Sequence, residues 1–425
     1  MTAADRSHIA DPALAPDGRL AIDWAGRHSP VVDGFVRSTL GDGALQGRRV
    51  AVVVHLEAKT AFLATVLADA GAEVVVAGSN PFSTRDDVAA ALVAHGIEVH
   101  STRNSGYEAW EKDLLAVADT GPEFIVDDGA ELTVRMAKYR PERYRALRGV
   151  TEQTTTGVAR LHALRNAGRL PFPALAANDA RCKHLFDNRY GTGQSTIQAM
   201  LNLTNMLLPG KVVAIVGYGW VGRGLATYVR AMAGRPVVIE VDPVKALEAF
   251  MDGHEVAPIA EALPTADFVI TATGGRRAIA AEHFEHLKPG AILANAGHHD
   301  LEVDVEALDR GSIEHRVVRR GIERFHWSPD GAPERAKEVY VLANGALVNI
   351  AGGLGHPIEI MDLSFAVQGL GCHHLAANDL QPGVHVIPKA LDDAIAAAKL
   401  AAHGIGLDTP GDHQRDTVDE WLEEA

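Results

Sequence analysis

Cysteine is scarce in this chain, which has only Cys182 and Cys372 among its 425 residues. Two cysteines exclude a disulfide framework and a four-cysteine zinc site, and we predict no metal site. Free thiols are typical of a reducing compartment, so we expect the protein to be cytoplasmic.

Positive charge is also in deficit, because 40 Lys and Arg residues stand against 55 Asp and Glu residues, a formal net charge of −15. Nucleic-acid binders concentrate Lys and Arg, so we expect no nucleic-acid partner. No apolar run approaches the roughly 20 residues of a membrane helix, and the first residues, MTAADRSHIADPALAPDG, lack the basic and apolar segments of a signal peptide. We therefore expect no membrane partner and a small-molecule substrate.

Short apolar runs alternate with helical patterns in two separate series, the first from Arg48 and the second from Lys211. Such alternation predicts an α/β protein with two doubly wound, Rossmann-like parallel sheets and a cleft between them. We place the first domain at residues 1–185 plus 355–388 and the second at residues 190–350. Residues 389–425 are expected to form a small C-terminal oligomerisation tail.

A glycine-rich turn opens the second series with the sequence VVAIVGYGWVGRG. Gly217, Gly219 and Gly222 have the G-x-G-x-x-G spacing that lets a strand turn tightly into a helix whose N-terminus receives a pyrophosphate. Glu240 follows at the end of the next predicted strand. Its carboxylate can accept from the adenosine ribose hydroxyls and would repel a 2′-phosphate, so NAD is predicted rather than NADP. Residues 190–350 are therefore predicted to be the NAD-binding domain, and residues 1–185 plus 355–388 the substrate-binding domain.

Several longer motifs resemble those of the S-adenosylhomocysteine hydrolase family, over about residues 23 to 388. They include HLEAKTA at 55, SNPFSTRDD at 79, EQTTTG at 152, NDARCKHLFDNRYGTGQST at 178, NAGHHDLEVD at 295 and LVNIAGGLGHP at 347. HLEAKTA and KHLFDNRYGTGQST are most similar to the shorter archaeal and thermophile-type branch, part of which acts on S-inosylhomocysteine.

The resemblance implies a reaction with no net redox change. Tightly bound NAD, one per subunit, oxidises the substrate 3′-hydroxyl, the C4′ proton becomes acidic, the 5′ thiol leaves, water adds, and the ketone is reduced again. The residues that the resemblance assigns to this chemistry are Lys183 and Asp187 at the 3′ side, and His55, Asp128 and His298 at the 5′ side.

The resemblance also implies binding residues. For the substrate these are Gln153, Asn178, Glu57, Lys59, His299, His356 and Met361. For the cofactor they are Gly217, Gly219, Trp220, Val221, Gly222, Glu240, Thr154, Thr155, Thr156, Asn188, Thr273 and Asn349.

Three positions depart from the family pattern. Gln153 stands where the family has a second glutamate that contacts the sugar hydroxyls, His299 replaces a phenylalanine, and Arg85 replaces a neutral glutamine. Glu57 and Lys59 are normal for the shorter branch and are compatible with a 6-oxo purine. The ending TVDEWLEEA lacks the motif with which the longer branch closes a neighbour's cofactor site, although a homo-oligomer, a tetramer or a dimer, is still expected.

Two alternatives stay open beside hydrolysis of S-adenosylhomocysteine or S-inosylhomocysteine. A nucleoside dehydratase would expel water from C5′ and stop at the 4′,5′-alkene, and the three departures motivate it. A regulatory pseudoenzyme would bind NAD without cycling it. A 2-hydroxy-acid dehydrogenase fits poorly, because no convincing Arg, Glu and His set is present.

Overall fold

The computed structural model describes residues 2–297 and 300–409. Within them the strands are β1 (Arg49–Val54), β2 (Glu73–Gly78), β3 (Glu98–His100), β4 (Phe124–Asp127), β5 (Gly149–Glu152), β6 (Pro173–Ala176), β7 (Val212–Val216), β8 (Arg235–Ile239), β9 (Glu255–Val256), β10 (Phe268–Thr271), β11 (Ala291–Asn295), β12 (Ser312–Arg319), β13 (Ile322–Trp327), β14 (Lys337–Leu342) and β15 (Gly383–Val386).

The α-helices alternate with these strands through most of the chain. They are α1 (Ala3–Arg6), α2 (Ala15–Arg27), α3 (Arg37–Leu40), α4 (Ala58–Asp69), α5 (Asp86–Ala94), α6 (Gly106–Asp119), α7 (Glu131–Tyr139), α8 (Pro141–Arg145), α9 (Thr155–Asn166), α10 (Arg181–Lys183), α11 (Thr192–Thr204), α12 (Trp220–Ala231), α13 (Pro243–Met251), α14 (Ile259–Ala262), α15 (Val305–Arg310), α16 (Val348–Ala351), α17 (Ile358–Ala377) and α18 (Lys389–Ala402). Val31–Val36 and His184–Gly191 are wound as π-helices.

The first unit is a parallel sheet with the strand order β15-β6-β5-β4-β1-β2-β3. Its central strands are buried on both faces, as the continuous apolar sequence of β1 requires. Helix α17 packs on this sheet through Phe365 and Leu370, which are buried in the same core as Val52 and Val126. The unit therefore closes only when the chain returns after the second sheet.

The second unit has the strand order β12-β13-β14-β11-β10-β7-β8-β9, and its strands from β14 to β9 are parallel. Strand β13 pairs antiparallel with both β12 and β14. The sequence analysis did not predict this antiparallel edge, although the two-sheet α/β architecture that it predicted is confirmed.

Two short segments join the units, and both carry residues of the predicted site. The chain leaves the first unit through α10 and the π-helix His184–Gly191, and it returns through the turn between α16 and α17. The outward crossing begins only after β6, which is still a strand of the first sheet. Among the described residues, no helix combines the length and apolar character needed to span a bilayer.

Helix α18 lies in the segment that was predicted as an oligomerisation tail. Its Ile395 is buried in the core of the first unit, and its Asp392 accepts hydrogen bonds from the backbone N–H groups of Arg181 and Cys182 at 2.8 and 2.9 Å. The described part of this segment thus packs against the outward crossing, because the apolar face of α18 has a partner there. Residues 410–425 lie outside the described residues.

Candidate active site

Lys183 lies at the end of α10, where the outward crossing begins, and its side chain is buried. Its Nζ is 2.6 Å from Asn188 Oδ1 and 3.4 Å from both Asp187 Oδ1 and Asn178 Oδ1. The π-helical winding of His184–Gly191 follows directly, a geometry that is frequent at functional sites. The structure brings together the predicted Lys183, Asp187, Asn178 and Asn188.

Asp187 is almost inaccessible and is held from several directions. Ser364 Oγ donates to its Oδ2 at 2.7 Å, Gln153 Nε2 donates at 3.2 Å, and His356 Nδ1 lies 3.6 Å from its Oδ1. Burial opposes ionisation, but the Lys183 ammonium and the Ser364 hydroxyl outweigh it and hold the pKa of Asp187 below its usual value. The carboxylate is therefore a fixed negative charge beside Lys183.

Gln153 follows strand β5 and is also buried. Its Nε2 donates one N–H to Asp187, and its Oε1 is buried without a hydrogen-bond partner among the described residues. A buried acceptor without a partner is costly, so this oxygen is suited to a donor from a bound molecule.

His356 belongs to the return crossing and completes this side of the cavity. Its Nε2 lies 2.9 Å from Thr192 Oγ1, at the start of α11. Burial lowers the pKa of His356, and the nearby Lys183 adds to this effect against the opposing charge of Asp187. The ring is therefore neutral at pH 7.

His55 and Asp128 follow the neighbouring strands β1 and β4, so parallel pairing places both at one edge of the first sheet. His55 Nε2 is 3.6 Å from Asp128 Oδ2, and its Nδ1 is 2.8 Å from Ser83 Oγ. Ser79 Oγ donates to Asp128 Oδ2 at 2.9 Å. The ring is thus oriented from both sides, and the pair lines the same cavity as Lys183 and Asp187.

Two further carboxylates lie beneath this edge, and the sequence analysis did not single them out. Glu152 accepts from the backbone N–H groups of Gly129 and Ala130, and Asp127 accepts from Thr133. Burial raises the pKa of Asp127 to about 6 and raises that of Glu152 well above its usual value. These groups fix the turn that carries Asp128.

Glu57 and Lys59 lie at the start of α4, where Glu57 accepts a hydrogen bond from the Lys59 N–H as the N-cap. Lys59 Nζ is 2.8 Å from Glu57 Oε2 and donates to the carbonyl oxygen of Leu354 at 3.0 Å. This contact ties the first unit to the return crossing. Met361, on the first turn of α17, lines the cavity with them.

The glycine-rich turn has the close contacts that its spacing predicts. Gly217 has φ +103°, and a Cβ there would lie 2.8 Å from the Ala272 carbonyl oxygen. A Cβ at Gly222 would lie 2.0 Å from the carbonyl oxygen of Gly217, whereas a Cβ at Gly219 would meet no atom within 4 Å. Gly219 caps α12 without a side chain, which leaves the N-terminal N–H groups open to a phosphate.

Glu240 lies beside this turn and is held by the backbone. Its carboxylate accepts from Tyr218 N and Val241 N at 2.7 Å and from Asp242 N at 3.0 Å. Partial burial opposes ionisation, but these N–H groups lower the pKa of Glu240, so the acid is charged at the place where an adenosine ribose would bind.

The remaining predicted cofactor residues lie around the same cleft. Asn349 Nδ2 donates to Ser195 Oγ at 2.9 Å, and its buried Oδ1 has no partner among the described residues, which suits a carboxamide donor. Thr273 is held by Glu302, and Thr155 Oγ1 is 3.4 Å from Asn178 Oδ1. The others are Trp220 and Val221 at the start of α12, Thr154 as the N-cap of α9, and Thr156 in its first turn.

His298 and His299 lie outside the described residues, so their predicted roles stay predictions. The residues that the sequence analysis missed include Ser79, Ser83, Ser364, Thr192 and Glu302, which hold predicted site residues in place. Ser364 had one signal, because it is a polar residue in the apolar sequence of α17, one helical turn after Met361. In the described ranges, no three His, Cys, Asp or Glu residues group closely enough to hold a metal ion.

The order of the strands in the two sheets, the glycine-rich turn and the cleft together place the protein in the class of NAD-binding α/β enzymes with two units. Residues 6–145 match the family described as S-adenosyl-L-homocysteine hydrolase, and residues 188–355 match the NAD binding domain of S-adenosyl-L-homocysteine hydrolase. The chain belongs to this family.

Full-length relatives agree with the family match. The chain is 46% identical to an S-inosyl-L-homocysteine hydrolase of Methanopyrus kandleri, over 98% of this chain and 97% of the relative. It is 44% identical to an adenosylhomocysteinase of Thermotoga maritima, over 95% and 99%, and 43% identical to one of Gloeobacter violaceus, over 98% and 97%. The predicted family, NAD cofactor and enzyme class are confirmed.

Proposed function

We propose that this enzyme cleaves and forms the 5′ thioether bond of S-adenosylhomocysteine or S-inosylhomocysteine through a transient 3′-ketone. The observation that carries the proposal is that two proton-handling pairs, Lys183 with Asp187 and His55 with Asp128, line one cavity. Elimination beside a ketone needs a base at the 3′ side and an acid at the 5′ side, and these pairs supply them.

The neutral amine of Lys183 takes the proton of the 3′-hydroxyl, releases it to solvent, and in its neutral form again takes the proton of C4′. Asp187 does not share this work, because, despite its burial, the Lys183 charge and the Ser364 hydroxyl hold its pKa below the usual value and keep it ionised. It stabilises the ammonium and keeps it aimed at the sugar. NAD, when bound, supplies the hydride acceptor and the returning hydride, with its pyrophosphate at Gly217–Gly222 and its ribose at Glu240.

His55 protonates the leaving sulfur and later takes a proton from the adding water. Ser83 at Nδ1 and Asp128 near Nε2 fix the plane of the imidazole, so that the ring faces C5′. We assign His298 to the same side, and Asn178 and Gln153 to the sugar hydroxyls. His299, Met361 and His356 are assigned to the substrate, and Thr154, Thr155, Thr156, Asn188, Thr273 and Asn349 to the cofactor.

The base pocket supports both purines named for the relatives. Lys59 can donate to a 6-oxo group, and Glu57 can accept from the N1–H that accompanies it, whereas a 6-amino group can donate to Glu57. The test is to incubate NAD-loaded protein with adenosine, inosine and their homocysteine thioethers, and to follow nicotinamide absorbance and products. Homocysteine release from either thioether supports the proposal. A protein that reduces no nicotinamide with any of the four contradicts it.

A nucleoside dehydratase is the second candidate, and Gln153 favours it. Gln153 is uncharged and lies beside Asp187, so it forms different hydrogen bonds with the sugar from those of a glutamate. The unpaired Oε1 of Gln153 can accept from a donor of the substrate, but without the negative charge of a carboxylate. This candidate predicts a 4′,5′-unsaturated nucleoside from a free nucleoside without homocysteine. If the thioethers alone turn over, the dehydratase is excluded.

We also propose a homo-oligomer of two or four chains in the cytoplasm. One exposed face supports self-association: Val241, Val244, Leu247 and Met251, on and before α13, are 96%, 67%, 60% and 77% exposed. A contiguous apolar face of this kind is typical of an interface. Leu247→Glu should lower the mass measured by light scattering, and a mass unchanged from the parent protein would contradict this assignment.

A further inference from the structure

The cavity lined by Lys183, Asp187, His55 and Asp128 is here called the nucleoside cavity. A second cavity, here called the outer cavity, adjoins it. It has a volume of about 450 Å³, within the roughly 300–1,000 Å³ of small-molecule sites. The two cavities share Glu57, Lys59, Ile350, Gly355 and His356, so they meet along this edge. The outer cavity extends from the shared edge between α2, the start of α5 and the return crossing.

The lining of the outer cavity carries a small excess of cationic side chains, although the chain as a whole is acidic. Its lining has three cationic side chains, Lys59, Arg85 and Arg103, against two carboxylates, Glu57 and Glu359. Lys59 is held by Glu57 and the Leu354 carbonyl, and the proposed function assigns its third donor to the purine base. The cations of Arg85 and Arg103 are therefore the ones available to a bound group.

Arg85 is the better placed of these two, because its backbone anchors it beside the shared edge. Its N–H donates to the carbonyl oxygen of Leu56, the residue before Glu57, at 2.9 Å. Its Nε and Nη2 contact Asp87 at 3.3 and 3.1 Å, and its Nη1 has no hydrogen-bond partner among the described residues. The Asp87 contact orients the guanidinium and leaves donors for another acceptor.

The substrate orientation directs the base toward this edge, a step that rests on the proposed function. With the 3′-hydroxyl at Lys183 and C5′ at His55, the base lies against Glu57, Lys59 and Met361, and its six-membered ring faces the shared edge. We propose that the outer cavity is a subsite for a substituent on that ring, and that Arg85 gives it a preference for an anionic substituent. The chemical class is a purine nucleoside with a carboxylate-bearing group at position 6.

The test compares N6-(carboxymethyl)adenosine with N6-(carbamoylmethyl)adenosine, which has the same shape but no charge. Dissociation constants are measured for the NAD-loaded protein, with unsubstituted adenosine alongside. We expect the carboxylate to bind about tenfold more tightly than the amide, as a hydrogen bond to a charged group does, and the preference to shrink as salt is added.

Variants test whether Arg85 is the residue that causes the preference for the carboxylate. Arg85→Gln should abolish it, Arg85→Lys should retain part of it, and Arg27→Gln, an exposed arginine on α2 outside the cavity lining, should retain all of it. Equal binding of the two probes, or failure of both to bind a protein that binds adenosine, overturns the subsite. Failure of adenosine itself to reduce the nicotinamide contradicts the proposed function instead, so the two results are distinguishable.

Discussion

At the scale of single residues, Lys183 differs from its neighbours because it is the one cation in direct contact with Asp187 among the described residues. The neutral side-chain oxygens of Asn188 and Asn178 also contact the amine. These contacts keep Nζ in position when it loses a proton. A group with this environment is suited to exchange protons with a substrate.

Lys183→Met should reduce the rate of nicotinamide reduction by adenosine by about 10² to 10⁴, the usual contribution of a proton-transfer group. Lys183→Arg should be similarly impaired, since a guanidinium keeps the charge but does not release its proton. NAD content, measured after denaturation of the protein, should be unchanged in both. A Met variant with more than about a tenth of the parent rate would remove Lys183 from the chemistry.

His356 gives a pH dependence whose sign follows from its lowered pKa. The unfolded side chain takes up a proton below about pH 6.5, whereas the buried folded one resists it, so the stability that it contributes is present above pH 6.5 and is lost as the pH falls below that value. We expect the Tm advantage of the protein over His356→Gln to narrow between pH 7 and pH 5. A difference that stays constant over this range would contradict the assignment.

At the scale of elements, two glycines of the turn before α12 are required for different reasons, one for packing within the protein and one for the approach of the cofactor. Gly222→Ala brings a Cβ against the Gly217 carbonyl, so both NAD content and the Tm of the NAD-free protein should fall. Gly219→Ala meets no protein atom, so it should lower NAD content while the Tm of the NAD-free protein stays near that of the parent. If Gly219→Ala binds NAD normally, the pyrophosphate does not approach the backbone at that position.

Helix α18 makes the second element-scale contribution, because Asp392 accepts the first N–H groups of the segment that presents Lys183. Asp392→Asn should lower the free energy of unfolding by about 1.5–3 kcal/mol, the range for hydrogen bonds to a charged group, and should also slow turnover. The control is Asp393→Asn, which disturbs only half-exposed contacts with Lys389 and Arg181. Equal effects of the two changes would show that the cap does not position Lys183.

At the scale of the whole molecule, the sequence predicts the architecture well because apolar strands and helical periodicity are local signals. It also predicts the glycine turn, where spacing alone carries the geometry. The antiparallel strand β12 does not follow from these signals, since most of its residues are exposed and show no apolar alternation.

The supporting contacts of the site are harder to predict than the site residues themselves. Ser364 reaches Asp187, and Asp392 reaches Arg181, across 177 and 211 positions of sequence. Such pairings depend on how α17 and α18 return to the first sheet, and no local pattern encodes them. Motifs therefore predict Lys183 and Asp187 as site residues, whereas the side chains that hold them become visible only in the fold.

In the proposed reaction a sugar is oxidised at C3′ and loses its C4′ proton between Lys183 and the bound cofactor. The most direct measurement uses adenosine labelled with deuterium at C3′ or at C4′, incubated with the NAD-loaded protein in ordinary water and recovered for mass spectrometry. We expect the C4′ label to be washed out to solvent and the C3′ label to be retained, because the hydride returns to its own carbon. A C4′ label that persists while the nicotinamide is being reduced, or a C3′ label lost to water, would contradict the proposed reaction.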